Sequence, residues 1–182
     1  MLIAMVGLNA GFVEEIAMRG VFFRLIEELL GTAGSVALGA ILFGALHLAN
    51  PNATIFSAVA IALSAGVLFP ALYAATRSLW ICIGAHAAWN VAQGLIFGIP
   101  VSGFDSDGWL RSAAKGADLI SGGAFGVEAS IVTPILLAVI AAVFLLRAKK
   151  YGRIVQPYWK RTTTGNADGE RLTFRNASRL SA

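Results

Sequence analysis

The sequence predicts an all-α fold: a polytopic membrane helix bundle of about five transmembrane helices with a polar C-terminal tail. Three observations predict it. The chain is 57% hydrophobic and 13% charged, with a mean hydropathy of +0.74. A soluble domain is about 45–50% apolar and about 25% charged. The apolar excess also comes in blocks, for no Asp, Glu, Lys or Arg occurs from Leu29 to Thr76, from Ser78 to Phe104 or from Ala129 to Leu146.

A span needs roughly 20 apolar residues. Helix one is expected over Leu2 to Leu30, ending before Gly31-Thr32-Ala33-Gly34, with Arg24, Glu27 and Glu28 on turns that emerge at the interface. Arg24 and Glu28 are spaced as a surface i,i+4 pair. Helix two covers Gly34 to Ala49 and is stopped by Asn50-Pro51. Helix three runs from Ala53 to Ala75 with a kink expected at Pro70. Helix four runs from Leu79 to Phe97 and ends at Gly98-Ile99-Pro100. A Gly- and Ser-rich connector leads to Gly126, and helix five covers Val127 to Leu146 with Pro134 inside it. Residues 1–146 thus form the membrane domain, and 147–182 a basic tail too polar to build a core and expected to be mobile. Small residues recur at four-residue spacing, as Gly31, Ser35 and Gly39, as Ala58, Ala62 and Gly66, and as Gly84, Ala88 and Ala92. Such rows allow close helix contact in lipid.

The net charge of +4 does not point to nucleic acid, because nine of the fourteen Lys and Arg follow Leu146 and no nucleic-acid fold signal accompanies them. A basic stretch after the last span is the mark of a cytoplasmic tail. Alternation then puts Asn50-Pro51 and the connector outside, Arg24 and Arg77 inside, and Met1 outside. That last position hints at missing upstream helices. The lone Cys82 excludes an internal disulfide. The first ten residues lack a basic n-region and read as mature helix rather than as a secretory signal. The Asn176-Ala177-Ser178 sequon, in a tail expected to be cytoplasmic, reads as chance.

The residues that carry chemistry are the ionisable ones inside apolar helices: Glu14, Glu15, Arg19, His47 and His86. A charge at membrane depth costs on the order of 2.5–3.5 kcal/mol and persists where it faces a polar cavity. Glu15 and Arg19 are i,i+4 with the acid first, the favourable order for a pair. Glu14 lies about 100° round the helix without a local cation, as suits a base that takes a proton from water. His86 and Asn90 share a face at i,i+4, where an imidazole and a carboxamide can hold a developing oxyanion. Each feature has a plainer reading. Glu-Glu-x-x-x-Arg occurs in many soluble helices, and a buried His or Asn can simply bond a neighbouring helix. The set in one membrane chain points to a site.

Glu14-Glu15-Ile16-Ala17-Met18-Arg19, Phe43-Gly44-Ala45-Leu46-His47 and His86-Ala87-Ala88-Trp89-Asn90, in that order, resemble the three motifs of the CAAX protease and bacteriocin-processing (CPBP, or Abi) intramembrane peptidases. The similarity covers residues 11–99, and the segment from Gly122 to Glu128 is similar to a stretch in some bacterial members. The resemblance implies an intramembrane endopeptidase of the cell membrane, cutting a membrane-associated protein or peptide of prenylated CAAX or bacteriocin type. It implies that Glu14 activates water with His47, that His86 and Asn90 stabilise the oxyanion, and that Glu15 and Arg19 organise the site. Members usually carry helices ahead of the first motif, whereas thirteen residues precede Glu14 here, so a truncated start or a reduced member is expected.

Family names also suggest a metallopeptidase, and Glu14, His47 and His86 with water could complete a zinc-like site. The lack of His-Glu-x-x-His and of carboxylates to buttress the histidines favours a metal-independent, glutamate-driven mechanism. Two rivals remain at this stage: a non-catalytic immunity or scaffold protein of the same fold, and a proton-coupled carrier, which the lack of an inverted repeat disfavours.

Overall fold

A computed structural model describes residues 2–164. Its regular structure is helical, with an isolated bridge between Val101 and Phe104 as the extended pairing among the described residues. Four stretches are long and apolar enough to cross a membrane: Asn9–Ala49, Ile55–Thr76, Leu79–Ile96 and Val132–Lys150. The first holds both helices expected before Asn50. In it α1 (Leu2–Glu15) passes through a π-helical segment (Ile16–Phe22) into α2 (Phe23–Leu46), and a 3₁₀ turn (His47–Ala49) closes it.

The break expected after Leu30 is present at Gly31, where the chain turns back so that Ser35 Oγ donates to the Phe23 carbonyl (3.2 Å) and Phe43 returns to Arg19. Gly31 has φ 71 and ψ 178, which no helix accommodates. A side chain is excluded there on two grounds. The φ is one that L residues avoid, and a Cβ would stand 2.6 Å from the Val155 carbonyl oxygen. The 153–157 segment fills the kink, with the Thr32 amide donating to Val155 O (3.0 Å) and the Val155 amide to Thr32 Oγ1 (2.9 Å).

Helix three is two helices, α3 (Ile55–Leu63) and α4 (Ala65–Thr76). The discontinuity is at Ser64 (φ −96, ψ −95), and α4 runs on through Pro70, so the kink expected at Pro70 lies six residues earlier. The reason is local competition. Ser64 Oγ donates back to the Ala60 carbonyl (2.6 Å), a bond that disturbs the helical ladder. Thr54 starts α3 with a capping box in which its side chain and that of Ser57 exchange bonds with each other's amides.

The fourth span is α5 (Leu79–Asn90) followed by a second π-helical segment (Val91–Ile96). After an irregular connector that holds the short α6 (Asp118–Ser121), the last span is α7 (Val132–Lys150). It starts five residues later than expected. Pro134 falls in its first turn, where its missing amide is tolerated. At the other end α7 runs on past Leu146, and 153–157 docks on the Gly31 kink before α8 (Tyr158–Thr164). Arg161 of α8 pairs with Glu28 (3.3 Å), while Arg24 Nε donates to the Tyr73 hydroxyl (2.6 Å). The expected Arg24–Glu28 pair therefore gives way to these two contacts. The tail expected from Arg147 is ordered in its described part, and its residues 165–182, including Asn176, lie outside the described residues.

Polarity is inverted relative to a soluble domain. Glu15, Arg19, Glu27, Thr32 and Ser35 are buried, whereas Ile41, Leu25, Val59, Ile135 and Val143 face outward. Lipid makes this the stable arrangement, since apolar side chains lose nothing by facing hydrocarbon and polar ones must find partners inside. The small-residue rows are used unevenly. Ala58 and Gly66 are buried and Gly66 lies against Ala40, but Gly84 and Ala88 are exposed. The approach that matters for the site is at Gly11, where a Cβ would sit 3.0 Å from the Ala87 amide nitrogen. That contact sets α1 and α5 side by side one turn from the first motif.

Candidate active site

Two motif helices carry a π-helical turn directly after their polar residues, one after Glu15 and one after Asn90. A π turn inserts a residue into the helical ladder and re-aims side chains, and such turns recur at functional sites. Arg19 lies within the first.

Arg19 and Glu15 form the buried floor. Arg19 is 1% exposed and Glu15 fully buried, with Arg19 Nη1 donating to Glu15 Oε1 (3.0 Å). Arg19 Nη2 donates to the Ala65 carbonyl (3.3 Å), just past the break at Ser64. Its guanidinium lies over the Phe43 ring at 4.9 Å and the Phe69 ring at 5.2 Å. Aromatic faces favour a desolvated cation, so two phenylalanines and one carboxylate hold the charge.

Glu15 Oε1 also accepts from His86 Nδ1 (2.9 Å), which joins the first and third motifs. His86 is stacked on Phe69, with ring centroids 4.8 Å apart at 18°. Its other nitrogen, Nε2, stands 4.0 Å from Glu14 Oε2. That separation exceeds a hydrogen bond, yet a water off the line can lie about 2.8 Å from both. Glu14 Oε2 is buried and unpartnered, as are Glu15 Oε2 and Arg19 Nε. Buried polar atoms are rarely left so, and these three all belong to residues of the first motif.

His47 stands on the 3₁₀ turn that ends α2. Its Nδ1 donates to the Phe43 carbonyl (2.8 Å), and its ring lies 4.6 Å from that of Phe43. A carbonyl only accepts, so Nδ1 carries the hydrogen and the neutral ring offers Nε2 as an acceptor. Phe43 also meets His86 edge-on at 6.3 Å, so one ring spaces both imidazoles. His47 and His86 line a common cleft of about 280 Å³ whose apolar walls include Phe43, Ile61, Leu68 and Leu137. Asn90 is buried one turn beyond His86 on the same helix face.

The structure therefore joins Glu14, Glu15, Arg19 and His86 in one cluster and brings His47 to the same cleft. Among the described residues no three His, Cys, Asp or Glu side chains are arranged to hold a metal ion. Glu15 on His86 Nδ1 and the Phe43 carbonyl on His47 Nδ1 fix both rings, so the carboxylate support that the sequence did not reveal is present for His86. Sequence reasoning missed Glu128 as a wall of this cleft. It is 6% exposed and accepts from Trp89 Nε1 (2.8 Å) and from the Ser102 amide (2.7 Å) and hydroxyl (2.8 Å). The signal available was an acid one residue ahead of a charge-free run, within a segment already similar to family members.

With this geometry in hand, comparison with known proteins is decisive at one level. Residues 1–92 match the type II CAAX prenyl endopeptidase Rce1-like family. The chain belongs to this family. The match includes all three motifs, from Glu14 to Asn90, and identifies the protein at family level as a CAAX-type intramembrane endopeptidase, a hydrolase of the membrane. No curated protein and no solved structure matches the chain.

Proposed function

We propose that this protein hydrolyses an amide bond in a membrane-associated protein or peptide, with Glu14 as the base that activates water. The observation that carries the reading is the facing pair of Glu14 Oε2, buried and unpartnered, and His86 Nε2, 4.0 Å away on a ring anchored by Glu15. A water held there gives one proton to Glu14, while the O–H it keeps donates a hydrogen bond to His47 Nε2, which fixes the lone pair. The hydroxide attacks the carbonyl carbon, and the tetrahedral oxyanion forms beside His86 and Asn90. Asn90 supplies an N–H. His86 supplies one only as the imidazolium, for which Glu15 is the counter-charge on Nδ1. Glu14 then returns its proton to the departing amine nitrogen, and atoms and charge balance. Arg19 acts through Glu15 and is a positioning residue.

In this reading the substrate is of prenylated CAAX type, the class in the family's description, and the cleft's apolar walls suit a chain delivered from lipid. The cell membrane is the proposed location. Nothing in the site favours a non-catalytic scaffold, which has no use for unpaired buried carboxylate oxygens. The test is cleavage of a farnesylated CAAX-type peptide by the purified full chain in proteoliposomes made in ¹⁸O-water. Release of the C-terminal fragment as a free amine, with one ¹⁸O in the new carboxylate of the prenylated N-terminal fragment, is expected. Intact peptide after exhaustive incubation with folded protein overturns the reading.

A further inference from the structure

Away from the active site, a cleft of about 470 Å³ lies at the foot of α4 and α7, lined by Ala75, Thr76, Phe144, Arg147, Tyr151 and Arg153. Basic residues at the end of a span are ordinary, since they complement the helix dipole and bond the last carbonyls. Here the carbonyls of Arg147, Ala148 and Lys149 are already taken. Gly152, at φ 65, turns the chain so that the Gly152 amide donates to Lys149 O (3.1 Å) and the Arg153 amide to Ala148 O (2.9 Å). This is a Schellman closure, and it leaves the cations of the last turn without that task.

Nor do carboxylates engage them. Among the described residues the ion pairs of this end are Glu27 with Arg77 and Glu28 with Arg161. Among the described residues Arg147 meets the face of Tyr151, at 5.5 Å, and its fork of donors makes no hydrogen bond or ion pair. Arg153 is held at the cleft by donating to the Ala75 carbonyl, while its own carbonyl accepts from Arg77 Nη2 (2.7 Å). The cleft thus sets two guanidiniums and a phenol over an apolar wall of Phe144 and Ala75. Planar guanidinium forks match phosphate oxygens, and basic pockets between membrane helices take anionic headgroups.

We propose that this cleft binds the phosphate ester of an anionic lipid headgroup, with Arg147 as the principal donor. Arg153 and the Tyr151 hydroxyl complete the shell, and the acyl chains leave along Phe144. The proposal is independent of the peptidase mechanism, since no active-site residue takes part.

The test is native mass spectrometry of the detergent-solubilised full chain titrated with phosphatidylglycerol or phosphatidylcholine. One phosphatidylglycerol per chain should be retained in preference to phosphatidylcholine. Arg147→Gln should weaken that binding about tenfold, and Tyr151→Phe by a smaller factor. Lys150→Gln removes the same charge from the same turn but lies outside the cleft lining, and should leave binding within about twofold. Equal losses in the two charge variants would mean a diffuse surface field and overturn the site. So would no preference for phosphatidylglycerol. Displacement by millimolar glycerol 1-phosphate would assign the cleft to a soluble phosphate ester and overturn the lipid source.

Discussion

Two Glu–Arg clusters are each built on a buried glutamate of the helix that precedes Gly31, and they differ in a way that separates chemistry from scaffolding. At the kink end, Glu27 has both oxygens engaged. Oε1 accepts from Thr32 Oγ1 (2.6 Å) and Arg77 Nη2 (2.9 Å), and Oε2 from Arg77 Nη1 (2.5 Å). In the first motif, Glu15 Oε1 serves both Arg19 and His86, while Glu15 Oε2, Glu14 Oε2 and Arg19 Nε have no partner. The Glu27 cluster is saturated and ties α2, α4 and the 153–157 segment together. The Glu15 cluster leaves acceptors unpaired behind His86, the member that lines the cleft. A half-satisfied buried network costs stability, and that cost is tolerable where water and substrate supply the missing partners.

The comparison breaks most visibly at Glu14. Glu14→Gln keeps the shape and removes the base, so kcat should fall about 10³-fold, or about 4 kcal/mol, with the thermal midpoint in detergent unchanged. Glu27→Ala should do the reverse. It strands the partly exposed Arg77 and frees Thr32, and should lower unfolding stability by about 3 kcal/mol while leaving kcat per folded molecule intact. Asn90→Ala removes an oxyanion donor and should reduce kcat about 10²-fold with a small change in KM. Trp89→Phe sharpens the comparison at its margin. It keeps the ring, deletes the Nε1 bond to Glu128, and should raise KM several-fold at near-constant kcat, as expected for a wall rather than a reacting group.

Much of this was legible in the residues. Glu14, Glu15, Arg19, His47 and His86 stand out because ionisable groups are rare in charge-free runs, and spacing alone pairs Glu15 with Arg19. The bond from Glu15 to His86 joins residues seventy-one apart and needed the fold. Gly31 reads as a helix stop and is one, but what fills the turn, the docking of Val155 on Thr32, needed the fold. Pro70 misled because its own restriction is local, whereas the break at Ser64 follows from a side chain bonding one turn back. Neither π turn has a sequence signature among these residues. Arg24 and Glu28 matched the i,i+4 rule yet each found a better partner across the bundle, in Tyr73 and Arg161.

The most direct measurement sets the two clusters against each other: peptide-cleavage kcat and thermal midpoint in the same preparations of Glu14→Gln and Glu27→Gln. The account predicts a crossover, with Glu14→Gln inactive at the parent midpoint and Glu27→Gln active at a lowered one. Retained turnover in Glu14→Gln, or turnover lost in a fully folded Glu27→Gln, would contradict it.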